Sequence, residues 1–85
     1  MAKVLMYSTR VCAYCSMAER ILIRKGALVE KILVDEDAAQ REEMTRRTGR
    51  SSVPQIFIGA KHIGGYSELA QLDRDGQLET MLLQP

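Results

Sequence analysis

Cys12-Ala13-Tyr14-Cys15 follows a short apolar run, Val4-Leu5-Met6-Tyr7, and opens a stretch with helical periodicity. Two thiols at this spacing can bridge, or one can attack a disulfide formed on the other. A first thiol at a helix N-terminus faces unpaired backbone N–H groups and the positive end of the helix dipole. Both favour thiolate over thiol, and the thiolate is the reactive species. The pattern therefore points to thiol–disulfide exchange, with Cys12 at the exposed helix mouth and Cys15 almost a turn inside. A structural staple explains it poorly, because closing so small a loop removes little chain entropy. A closed zinc site needs four ligands, and the chain offers two Cys and the distant His62. His62 reads as an edge-strand residue rather than a base, and the five Met as core filler.

The elements that must hold this pair follow from patterning. Val4 to Tyr7 reads as a buried strand. Tyr14, Met17, Ala18, Ile21 and Leu22 form an apolar helical stripe, ended by Arg24, Lys25 and a Gly26 cap. Val29 to Val34 is a second strand, parallel to the first across a right-handed βαβ unit. Asp37 and Gln40 form a capping-box pattern opening a helix that ends at Gly49. Its thin apolar face, Ala38, Ala39 and Met44, predicts the most exposed helix. Gln55 to Ile58, a Gly59-Ala60 turn and Lys61 to Ile63 read as an antiparallel hairpin. Past Gly64-Gly65, Ser67 is placed to cap a short helix carrying Leu69 and Leu72, and Leu78, Met81 and Leu82 suit a final helical turn. The order is β-α-β-α-β-β-α with a helical tail: an α/β fold with a four-stranded mixed sheet and helices on both faces.

Length and composition agree with one domain over residues 1–85. With 46% apolar residues, one Phe and no Trp, the core must be largely aliphatic. A net charge of +1 without a basic stripe argues against nucleic-acid or membrane partners. No run is long enough to cross a membrane, and Met1-Ala2-Lys3 leads into a strand rather than a signal sequence, so a cytoplasmic location is the default.

Three motifs in register carry a resemblance: Cys-Ala-Tyr-Cys after the first strand, Ser52-Val53-Pro54 before the third, and Gly64-Gly65-Tyr66-Ser67-Glu68 after the fourth. Over essentially its whole length the chain resembles the glutaredoxin family, in its short bacterial dithiol form. It is less like thioredoxin proper, which would be expected to carry Trp-Cys-Gly-Pro-Cys. The resemblance implies a thioredoxin-like fold and a monomer acting on glutathione and on disulfide-bearing or glutathionylated proteins. It implies a cis Val53-Pro54 peptide facing the redox pair, with Val53 backbone groups pairing strand-like with glutathione. It also implies that Gly65 lets the ligand approach, that the Ser67 and Glu68 amides take the γ-glutamyl carboxylate, and that Tyr14 flanks the glutathione sulfur.

The chain departs from the family pattern in three places, the first being Ser67, where the family more often has Asp. The Lys usual three residues before the first Cys is Thr9 here, leaving Arg10, Arg50, Gln40 or Arg41 as candidates for the glycyl carboxylate. Ala13 replaces the usual Pro, which suits a first helical position by its preset φ. Family members lacking that Pro sometimes hold a [2Fe-2S] cluster between two protomers, through the first Cys of each and two glutathiones. The resemblance thus leaves a second reading, a cluster-binding dimer through Cys12.

Overall fold

The computed structural model describes residues 2–84. Its elements are β1 (Val4–Ser8), α1 (Ala13–Arg24), β2 (Val29–Leu33), α2 (Ala38–Thr48), β3 (Gln55–Ile58), β4 (Lys61–Gly64), α3 (Tyr66–Arg74) and α4 (Leu78–Leu83). One four-stranded sheet runs in the order β2-β1-β3-β4. β1 and β2 pair in parallel across the α1 crossover, whereas β1–β3 and β3–β4 are antiparallel. This is the four-stranded mixed sheet expected from the order of elements, in the thioredoxin-like architecture that the resemblance implies.

Alternation along the two central strands divides the core between the faces of the sheet. Val4, Met6, Ile56 and Ile58 pack with Ala18, Ile21, Leu22, Leu69, Leu78 and Leu82 from α1, α3 and α4. On the opposite face Tyr7 and Phe57 meet Val34 and Met44, the one buried residue of α2. α2 is accordingly held by little apolar contact. Its ends are defined locally: Asp37 accepts the Gln40 N–H at 3.2 Å, and Gly49 closes it in the left-handed region at φ 73°.

Two expectations change. The buried stripe of α1 is Cys15, Ala18, Ile21 and Leu22, whereas Tyr14 is 60% and Met17 39% exposed. The expected stripe combined the buried face with its rim, because both lie within one wide arc of the helix. α3 begins at Tyr66 with Gly65 as its N-cap, so Ser67 lies inside the first turn rather than capping it. Glu68 explains the shift: its carboxylate reaches back and accepts the Gly65 N–H at 2.6 Å.

Candidate active site

The first turn of α1 is built around sulfur. Cys12 is the N-cap residue, in extended conformation, and its Sγ accepts the Cys15 N–H at 3.1 Å. A position that in most helices takes a Ser or Asp oxygen is here taken by the reactive atom itself. The two cysteines form a disulfide, their Cα atoms 5.2 Å apart. Cys15 is 3% exposed and belongs to the core, whereas Cys12 is only partly covered. On reduction the same N–H would stabilise a Cys12 thiolate, so the geometry favours ionisation at the accessible sulfur. Ala13, the first helical residue, is exposed.

Beside this pair runs a groove of about 440 Å³. One wall is Ser52, Val53 and Pro54, joined by a cis Val53–Pro54 bond. The other is the start of α3, from Gly65 to Glu68, and Tyr14, Arg50 and Gln55 complete the lining. The walls approach closely, since a Cβ on Gly65 would sit 3.3 Å from the Pro54 carbonyl oxygen. At the α3 wall, intrahelical donation starts with Leu69 N–H to Gly65 O, which leaves the amides of Tyr66, Ser67 and Glu68 without a helical acceptor. The Glu68 side chain stays at the rim, 3.4 Å from Arg50 Nη1. The Gly65 N–H bond first, helped by the backbone N–H of Glu68 itself and then by Arg50, holds its carboxyl below the usual range against the opposing effect of burial.

The candidate basic residues separate in space. Arg50 lines the groove, whereas Arg10, Gln40 and Arg41 line no part of it. Arg10 is turned toward β2, its Nε 2.8 Å from Glu36 and its backbone N–H bonded to Asp35 at 3.2 Å. Thr9 directs its hydroxyl to the Val11 carbonyl.

Two groove residues escaped the sequence reading. Tyr66 lies against Tyr14, ring centroids 5.6 Å apart, so the Tyr pair bounds the groove next to the disulfide. Gln55, 1% exposed, is the second. Its Nε2 donates to the Ser52 carbonyl at 3.1 Å and lies 3.4 Å from Ser52 Oγ, while its Oε1 meets His62 Nε2 at 2.7 Å. Because the amide nitrogen is committed to a carbonyl, the amide oxygen must face the imidazole, and His62 must carry a proton on Nε2. His62 stands on β4, as expected of an edge residue. Burial, and then the Arg50 charge, push its pKa below the usual 6.5, favouring the neutral ring. A polar residue immediately after Pro54 was the available signal for Gln55, but strand alternation alone does not show that it is buried.

Comparison with known proteins agrees with this geometry. The glutaredoxin family profile matches residues 4–63. The chain is 46% identical over 82 residues to glutaredoxin 3 of Escherichia coli K12, covering 96% of this chain and 99% of that protein. It is 40% identical over 82 residues to a glutaredoxin of Pseudomonas aeruginosa, covering 96% and 98%. Among solved structures, a buckwheat glutaredoxin–glutathione complex superposes with a TM-score of 0.87 at 33% identity, over 95% of this chain and 76% of that one. The solution structure of Brucella melitensis glutaredoxin gives 0.85 at 40% identity, over 96% and 89%. A half-buried Cys12 bridged to a fully buried Cys15 at the head of α1, in a chain matched almost end to end by these proteins, makes this a thiol–disulfide oxidoreductase of the glutaredoxin family.

Proposed function

We propose that the chain reduces glutathione mixed disulfides and protein disulfides with glutathione as co-substrate, Cys12 attacking and Cys15 resolving. The asymmetry of the pair carries this reading: the sulfur that accepts an N–H at the helix mouth is the accessible one. With a glutathionylated substrate, the Cys12 thiolate attacks the glutathione sulfur, the substrate thiolate leaves and takes a proton, and a Cys12–glutathione disulfide forms. A second glutathione thiolate attacks that bond, releasing glutathione disulfide and restoring Cys12. With a protein disulfide, Cys12 forms the mixed disulfide with one substrate sulfur. Cys15 then attacks Cys12 Sγ, the reduced substrate leaves, and the Cys12–Cys15 bond is reduced by two glutathiones in turn. Each cycle moves two electrons.

In this reading the Val53 backbone receives the extended cysteinyl part of glutathione, and the Ser67 and Glu68 amides receive its γ-glutamyl carboxylate. Gly65 keeps the wall low, Tyr14 flanks the sulfur, and Arg50 faces the glycyl carboxylate. The second reading, a [2Fe-2S] cluster held by Cys12 of two protomers and two glutathiones, would need Cys12 released from the bond to Cys15 seen here, and no observation favours it over the redox role. The test is a glutathione-coupled reductase assay. Cys12→Ser should abolish turnover, and Cys15→Ser should retain deglutathionylation while losing reduction of protein disulfides. Undiminished activity of Cys12→Ser would overturn the assignment.

A further inference from the structure

A second depression, of about 520 Å³, lies between α1 and α3 and does not include the groove beside the cysteines. Its apolar lining includes Met17, Ile23 and Ala70, of which Met17 is 39% and Ile23 59% exposed. Arg20, Arg24 and Arg74 surround it. Arg20 and Arg24 have no carboxylate within salt-bridge distance among the described residues. The acidic lining residue, Asp73, is paired with Lys25 at 3.3 Å. The depression is thus an apolar surface under uncompensated positive charge. It is also continuous with the redox site, because Tyr66 lines both hollows and stacks on Tyr14 next to the disulfide.

We infer that this α1/α3 depression docks an acidic and apolar segment flanking the reactive cysteine of a protein substrate. The inference rests on the reading of the chain as a reductase of protein disulfides and adds the chemistry of the substrate it prefers. Distance sets the register. At about 1.5 Å of rise per helical residue, Arg20 and Arg24 lie roughly 12 and 18 Å along α1 from Cys12. An extended chain spans about 3.3 Å per residue, which places the matching carboxylates about four to six residues from the substrate cysteine. An apolar side chain between them would cover Met17 and Ile23. Charges at such a rim act mainly on encounter rate and selectivity, so the preference should weaken with salt.

The test uses two glutathionylated peptides differing only in having Glu or Lys four to six residues from the cysteine, with hydroxyethyl disulfide as a small substrate. Arg20→Glu/Arg24→Glu is compared with the wild type. The wild type should favour the Glu peptide by about tenfold in kcat/KM at low salt, the double variant should lose or reverse the preference, and hydroxyethyl disulfide turnover should not change. Equal wild-type rates on both peptides, or a parallel loss on all three substrates, would overturn the inference. Binding of a Cys→Ser Glu peptide to the oxidised protein, read by fluorescence anisotropy and weakened about tenfold in the double variant, decides docking independently of turnover. Failure of the reductase reading shows instead as wild-type protein inactive on hydroxyethyl disulfide. A dimer in sedimentation that Arg20→Glu/Arg24→Glu dissociates would assign the face to a second copy and refute the substrate role.

Discussion

Gln55→Leu isolates the polar link between β4 and the loop that carries Pro54. Leucine fills most of the glutamine volume, so the change tests hydrogen bonding more than packing. Two groups lose their partner: the Ser52 carbonyl, 3.1 Å from Gln55 Nε2, and His62 Nε2, 2.7 Å from Gln55 Oε1. Ser52 is exposed and can turn to water, so its share is at the low end for a hydrogen bond, about 0.5 kcal/mol. The half-buried His62 N–H is left against an apolar side chain, which costs about 1–3 kcal/mol. The expected total of about 2 kcal/mol corresponds to a fall in Tm of roughly 8–16 °C for a domain of this size. Removing the imidazole as well, in Gln55→Leu/His62→Leu, leaves no stranded N–H. The double variant should therefore lose less than the sum of the singles, by about 1 kcal/mol. Urea unfolding of the reduced protein followed by circular dichroism measures all three. Single losses that add within about 0.3 kcal/mol would show that the two side chains are not coupled and would refute the network.

Gly64→Ala should cost about 1–3 kcal/mol, because φ is +117° and the new Cβ would meet Glu68 Oε1 at 2.6 Å. Gly49→Ala, also at positive φ but facing open space, should cost less in the same melts. Acidification should destabilise the protein in two windows. His62 has its folded pKa depressed below 6.5, so the unfolded chain binds more protons there, and stability falls as pH drops below about 6.5. Glu68 is depressed below 4.5, so its contribution is present above that value and is lost as pH falls through the lower folded value. Unfolding free energies across pH should lose the first inflection in His62→Gln and the second in Glu68→Gln.

What was legible in the sequence was what neighbours in sequence determine. The Cys12–Cys15 spacing, the Asp37 cap, the Gly49 stop and the hairpin around Gly59-Ala60 all depend on residues within a turn or two of one another. Apolar runs, helical periodicity, caps and turn signals together located every helix and strand of the described chain, and the tail helix is anchored as its pattern suggests, with Leu78 and Leu82 both 1% exposed. Local chemistry was also where the reading slipped. Ser67 has the right side chain for a cap, but Glu68 can reach back from the third helical position to the Gly65 N–H, and a carboxylate at 2.6 Å displaces a neutral hydroxyl.

The choice among basic residues shows the limit. Arg10 is closest to the redox pair in sequence, yet Asp35 and Glu36 are brought beside it from the end of β2 and hold it. Arg50 is far away in sequence but comes into the groove because α2 returns the chain to the head of the sheet. Gln55 likewise becomes a buried strut only because β4, pairing with β3, brings the His62 ring within hydrogen-bond reach of its side-chain amide. The sequence alone determined the two thiols, the helix that sets them in unequal exposure and the order of elements, because these follow from local backbone preferences and period. Only the tertiary structure decided which charges meet, which polar groups lose water and that a second hollow continues from the first at Tyr66. Those depend on distances between segments remote in the chain, and no local pattern encodes them.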